Sequence, residues 1–174
     1  MLAAGVGHIG DSRIENIIRM KDAGIQAEFV LVRSPFLNQA DKVVQYADIC
    51  LNTELEVLRR LSGLAAQSNV DQKVVLMVEL GDLRERIPPQ TLPDMVRMVE
   101  KLPAIKLTGI GTNLGCFGGT IPDKKNVEML SDLARSIERR FGISLGIVSG
   151  GNSSAYHASR SLTYCNCYWE AVGI

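Results

Sequence analysis

Leu145-Gly146-Ile147-Val148-Ser149-Gly150-Gly151-Asn152-Ser153-Ser154 is an apolar run that ends in a glycine pair and a cluster of amide and hydroxyl side chains. A buried strand with such an ending is suited to surround an anion. The glycines let backbone N–H groups approach closely, and Asn152, Ser153 and Ser154 can add side-chain donors. A phosphate held there would sit at the carboxyl end of a strand, where α/β folds place their ligands. The competing reading of the same residues is a plain strand-to-helix turn with an Asn or Ser N-cap.

Upstream of this stretch, short β-branched runs alternate with longer amphipathic ones. Strands are expected at 6–10, 28–32, 49–51, 73–80, 105–110 and 145–148. Helices are expected at 13–23, 38–46, 54–66, 92–101 and 123–141, the first stopped by Gly24 and the last by Gly142. The last helix places Val127, Leu130, Leu133, Ala134 and Ile137 on one face. Strands apolar on both faces, alternating with helices, imply a parallel sheet covered by helices. Both a doubly wound sheet and a (β/α)8 barrel satisfy that pattern.

The polar residues behind the strands separate the two. Asp11-Ser12, Arg33-Ser34, Asn52-Thr53, Gly81-Asp82, Thr112-Asn113 and Ser149-Gly150 each follow a strand directly. A doubly wound sheet gathers such residues at one crevice, whereas a barrel spreads them around a ring. The expected fold is therefore α/β, a partial (β/α)8 TIM-type barrel, with six strands where a full barrel has eight.

Composition limits what the chain can do. At 174 residues it has room for one domain with a real core, and 46% apolar with 22% charged residues are ordinary globular values. Nineteen basic and nineteen acidic side chains cancel, so no electrostatic footprint for nucleic acid or an anionic membrane is present. No apolar run is long enough for a membrane span, and Met1-Leu2-Ala3-Ala4-Gly5 has no basic region of a secretion signal. Cys50, Cys116, Cys165 and Cys167 lack CxxC spacing, which suggests reduced thiols and a cytoplasmic location. With only His8 and His157 to join them, no metal site is expected.

Gly5-Val6-Gly7-His8-Ile9-Gly10 spells GxGxxG, but these glycines bracket a strand instead of following one, so a nicotinamide site is disfavoured. Ser12 and Glu15 have the spacing of a capping box. In Gly81-Asp82-Leu83-Arg84-Glu85, Arg84 could clamp a carboxylate or pair with its acidic neighbours. The segment 109–119 holds five glycines in eleven residues, as expected for backbone packed closely on a flat group or a neighbouring loop. Within it, Cys116 is either a thiol acid/base or a small buried hydrophobe.

Taken in order, Gly10-Asp11-Ser12-Arg13-Ile14-Glu15-Asn16, Leu31-Val32-Arg33-Ser34-Pro35, Leu51-Asn52-Thr53-Glu54, Gly81-Asp82-Leu83-Arg84-Glu85, the 111–119 glycine segment and Ser149-Gly150-Gly151-Asn152-Ser153-Ser154 resemble the alanine/ornithine racemase family that uses pyridoxal 5′-phosphate (PLP). The resemblance covers about residues 3 to 155 and implies strands two to seven of the alanine racemase N-terminal barrel. It implies racemisation of a small or basic amino acid through an α-carbanion that the PLP ring stabilises. By resemblance, Ser149, Gly150, Gly151, Asn152 and Ser153 grip the phosphate, and Arg33 and Thr112 join them in binding the cofactor. The resemblance casts Arg84, Asn113 and Cys116 as catalytic candidates. Arg84 stands near the substrate carboxylate or the cofactor O3′, and Asn113 where alanine racemases carry a histidine against the ring.

The family's Schiff-base lysine lies upstream of the Gly10-Asp11-Ser12 motif, and none of this chain's lysines is placed to replace it. The resemblance therefore implies an amino-acid racemase, homodimeric at full length, of which this chain is an inactive fragment. A non-catalytic PLP-homeostasis protein on the same barrel is the alternative. Residues 1–156 are expected to form the partial barrel domain. Residues 157–174, with Cys165, Cys167 and the single Trp169, are expected to be a tail that departs from the family.

Overall fold

The computed structural model describes residues 7–83, 87–114, 121 and 123–150. Six strands form one sheet: β1 (His8–Asp11), β2 (Glu28–Leu31), β3 (Ile49–Asn52), β4 (Gln72–Met77), β5 (Ile105–Gly111) and β6 (Ile147–Ser149). Each pairs in parallel with the next, in the order of the chain. Helices α1 (Ile14–Asp22), α2 (Ala40–Tyr46), α3 (Leu55–Gln67), α4 (Leu92–Val99) and α5 (Lys124–Phe141) fill the crossovers, and a 3₁₀ turn at Leu37–Gln39 leads into α2.

A sheet whose order never reverses has no crevice between two halves, which removes the doubly wound alternative. The packing shows the same from the side chains. Phe29, Leu31 and Cys50 pack with Ile14, Ile17, Val43, Val57 and Leu61 of the helices. Val74, Leu76, Ile110 and Val148 pack with Leu92, Val96, Leu130 and Ile137. The alternate strand residues, Val30, Ile49, Leu51, Val75 and Met77, form a separate cluster that contains no helix residue. One face carries all the helices and the other is a concave apolar interior, so the sheet is a curled half-barrel. Burying each of these large aliphatic side chains contributes about 1.5–3 kcal/mol.

Local chemistry explains the helix ends. Asp123 caps α5 by accepting from the Asn126 N–H at 2.8 Å, and Gly142 closes it at φ 67°. On its inner face Ser131 is buried too, its hydroxyl donating to the Val127 carbonyl at 3.0 Å, and the half-buried Leu133 packs against the core. The capping box expected at Ser12 and Glu15 does not form. α1 starts one residue later, with Arg13 at its N-cap and no side-chain cap; ahead of it the Asp11 carboxylate accepts from the Arg13 N–H at 2.7 Å and from the Asn16 side-chain amide at 3.1 and 3.2 Å. The apolar run of β4 outlasts the strand. Beyond Met77 only Val78 bridges, to Ile87.

At the amino ends of the strands the concave side is polar and internally paired. Glu28 accepts from Lys73 Nζ at 2.7 Å and lies 2.7 Å from His8 Nε2. Glu28 and Lys73 stand on strands separated by β3, so this pair reaches across the concave face. Nearby, Lys21 pairs with Asp48 at 3.4 Å.

Candidate functional site

At the carboxyl ends of the same strands the chemistry changes. Ser34 and Thr53 tie β2 to β3, their hydroxyl oxygens 3.1 Å apart and the Thr53 N–H donating to Ser34 Oγ at 2.9 Å. Behind β4, Glu79 Oε1 accepts from the N–H groups of Gly81 and Leu83 at 2.5 and 2.9 Å, and Asp82 is buried. The Asn126 amide at the start of α5 donates to the Leu80 carbonyl at 3.2 Å and fixes this loop against the helix layer.

β5 and β6 form the part of the rim with unsatisfied donors. A bulge at Thr108 shifts the register between Val74 and Val75, and its hydroxyl donates to the Val74 carbonyl at 3.0 Å. Beyond the bulge Gly109 pairs with Val75 and Gly111 with Met77 on one side, and with Ile147 and Ser149 of β6 on the other. A Cβ at Gly109 would lie 2.7 Å from Ile147 Cβ, and one at Gly111 would lie 3.0 Å from Ser149 Cβ and 3.1 Å from Met77 Sδ. Only glycine allows β6 to come this close. Since Met77 belongs to the helix-free cluster, the Gly111–Ser149 pair stands on the concave side.

There the Ser149 hydroxyl is 0% exposed and has no hydrogen-bond partner among the described residues; the Thr112 hydroxyl, one residue beyond Gly111, is likewise buried without one. The Thr112 N–H is used, donating to the Ser149 carbonyl at 3.0 Å. A buried hydroxyl without a partner costs about 1–3 kcal/mol, which a bound acceptor would relieve. Gly150 follows, also buried. The Ser149 hydroxyl fits a phosphate: a donor on the concave rim, beside glycines that clear space for it.

Thr112, Ser149 and Gly150 thus converge on one corner of the rim, with the half-buried Asn113 next to Thr112. Arg33 does not join them. It projects at the tip of β2, exposed, with its guanidinium 5.1 Å from the centre of the Phe36 ring. Arg84, Cys116, Gly151, Asn152 and Ser153 lie outside the described residues. So do residues 157–174 and the first glycine of the GxGxxG run, whose Gly10 lies inside β1.

The sequence reading also passed over Asn52, fully buried at the end of β3. Its Oδ1 accepts from the Glu54 N–H at 2.8 Å, while its Nδ2 has only the weakly accepting Cys50 sulfur beside it and makes no hydrogen bond of normal geometry. It shares the helix side of β3 with Cys50, whose thiol burial pushes up to about 12. Neither residue serves the concave rim.

Every lysine of the chain can be placed. Lys73 is paired to Glu28 and Lys106 stands second in β5, both at amino ends. Lys21 lies in the last turn of α1 and Lys101 just beyond α4, while Lys42, Lys124 and Lys125 belong to α2 and α5. None extends from the carboxyl end of a strand.

Fold and rim together define a class: a parallel α/β half-barrel with its binding chemistry at the carboxyl ends of the strands. The family model for the alanine racemase N-terminal domain matches residues 1–174, and the chain belongs to that family. It is 40% identical over 153 residues to the ornithine racemase of Acetoanaerobium sticklandii, covering 87% of this chain and 43% of that protein. It is 35% identical over 155 residues to the lysine racemase of Thermotoga maritima, covering 89% and 43%. The chain therefore spans less than half the length of these curated relatives. Among solved structures, the alanine racemase of Clostridium difficile 630 in complex with cycloserine matches with a TM-score of 0.81 at 15% identity, over 96% of this chain and 46% of that one. PipY of Synechococcus elongatus with PLP bound matches with a TM-score of 0.78 at 18% identity, over 97% and 80%. At these identities the likeness to solved structures establishes the fold. Among the described residues no helix is long and apolar enough to cross a membrane.

Proposed function

We propose that the β5–β6 corner of the rim holds pyridoxal 5′-phosphate, and that the whole protein racemises a basic amino acid of the ornithine or lysine type. One observation carries the cofactor reading: the buried, unpartnered Ser149 hydroxyl on the concave side, beside a glycine pair that keeps that side clear. The substrate class rests on the two curated relatives, both racemases of basic amino acids.

Ser149 Oγ and the Gly150 backbone hold the phosphate, with Gly151, Asn152 and Ser153 next in the chain to complete the grip, and Thr112 Oγ1 stands at its margin. Arg33, at the tip of β2, faces a different part of the rim and is left out of this grip. Asn113 lies along the cofactor ring, Arg84 orients the substrate carboxylate, and Cys116 Sγ is the candidate to carry a proton. When bound, PLP supplies the electron sink that makes the α-proton of an amino acid acidic. The full-length protein is a cytoplasmic homodimer in this reading.

Because no lysine of the 174 residues extends from a strand's carboxyl end, this chain by itself holds PLP without a covalent bond and does not racemise. Titrating the purified chain with PLP should give saturable binding that Ser149→Ala weakens at least tenfold, and borohydride should fix no label. Binding that ignores Ser149→Ala, or label on one of the seven lysines, would overturn it. A second reading keeps the same site but no inversion. It draws on PipY, the PLP-bound neighbour of which the chain covers 80%. Racemisation of ornithine or lysine by the full-length protein separates the two.

A further inference from the structure

Away from the β5–β6 corner, the loops behind β1 and β2 shape a partly open surface pocket of about 210 Å³, bordered by the exposed Ser12, Arg13, Glu15, Arg33 and Phe36 and by the half-buried Gln39. It lies at the β1–β2 side of the sheet, whereas Ser149 lies on β6 at the other edge. Two cations, Arg13 and Arg33, border this one small space, and among the described residues neither is in an ion pair, a state they share with Arg19, Arg60, Arg139 and Arg140.

The remaining wall has matching chemistry. Arg33 lies over the Phe36 ring, which holds its planar fork in place while leaving the N–H edge available. Phe36 is 62% exposed and offers an apolar surface. Gln39 Oε1 accepts from the Phe36 N–H at 3.3 Å, so its amide NH2 remains as a donor. Glu15 is the one acidic side chain on the wall and is not in an ion pair among the described residues.

We propose that this pocket is a second ligand site that takes a small α-amino acid, its carboxylate between Arg13 and Arg33 and its ammonium on Glu15. Two guanidiniums suit a carboxylate because each can present parallel N–H groups. Glu15 disfavours a dianion such as phosphate and favours a ligand with a cation beside its anion. The volume falls below the roughly 300–1,000 Å³ of drug-sized pockets, which restricts the ligand to a few heavy atoms. The site does not depend on the PLP reading.

The test is a calorimetric titration of the PLP-free chain with L-alanine, with propionate and with inorganic phosphate. L-Alanine should bind saturably and propionate more weakly. Arg13→Gln should weaken L-alanine binding at least tenfold, while its PLP titration stays as in the parent. Glu15→Gln should weaken L-alanine and leave propionate unchanged. Absence of saturable L-alanine binding, or indifference to Arg13→Gln in a variant with unchanged circular dichroism, overturns the proposal. So does phosphate binding to the Ser149→Ala variant as tightly as L-alanine, with Arg13→Gln weakening it. If Ser149→Ala abolishes L-alanine binding, the amino acid sits at the β6 corner and the second site is refuted, with the PLP reading intact.

Discussion

The two ends of one set of strands are built on opposite plans. At the amino ends, charges are satisfied within the chain: Glu28 takes both Lys73 and His8, and Lys21 takes Asp48. At the carboxyl ends of β5 and β6, the buried hydroxyls of Thr112 and Ser149 are left without partners, and glycine replaces side chains. In a parallel barrel the first end is expected to serve stability and the second function. The helix layer and concave core are common to both, so the contrast lies in a handful of residues.

The largest expected effect is at Gly109. A Cβ there would meet Ile147 Cβ at 2.7 Å and press on the Ile147 backbone, so Gly109→Ala forces β6 away from β5. It should lose about 3 kcal/mol in urea denaturation. A loss below about 0.5 kcal/mol, the ordinary surface value, would mean the close approach is unimportant.

Ser149→Ala should separate the two plans. PLP affinity should drop at least tenfold, about 1.4 kcal/mol, while stability is unchanged or slightly improved because a buried unpaired hydroxyl is removed. A clear stability loss with unchanged PLP affinity would place Ser149 among the structural residues.

Glu28→Gln should do the reverse, with a smaller effect and no change in PLP binding. The hydrogen bond from Lys73 holds the Glu28 carboxyl below its usual value, against the opposing effect of burial and with help from His8. A carboxyl with a lowered folded-state pKa contributes stability above its unfolded pKa and loses it as pH falls through the folded value. The parent should therefore lose this part below about pH 4.5, the ordinary value, and Glu28→Gln should lack that acid-side slope. Because Glu28 and Lys73 are 43% and 37% exposed, the contribution is no more than about 1 kcal/mol. Equal acid-side slopes would break this account. The smallest effect concerns Cys50: raised to about 12 by burial, its thiol should not react with Ellman's reagent at pH 8 until the chain unfolds.

Much of this could be read from residue order. The six strands and five crossover helices fall where hydrophobic period placed them, within a few residues, and Gly142 closes α5 as expected. The ring of polar strand ends pointed to a barrel, and the unbroken strand order agrees. Other features were hidden. Ser12 and Glu15 carry a capping-box spacing, yet the helix begins one residue later, with Arg13 at its N-cap and its N–H donated to the Asp11 carboxylate. Leu133 packs against the core with the apolar stripe of α5 as expected, but Ser131, a polar residue outside that stripe, is buried on the same side. Arg33 belongs to a strand-end motif, and its stacking on Phe36 at the tip of β2 could not be read from the motif.

The sequence by itself determined the order of elements and the chemistry at each strand tip, because period, caps and turn residues act over a few positions. Only the tertiary structure decided which tips meet. A single bulge at Thr108 resets which residues of β4 and β5 face each other, and the curl of the sheet lets Lys73 reach Glu28 across an intervening strand. Side-chain direction reverses at every residue of a strand, so a shift of one position exchanges the concave face for the helix face.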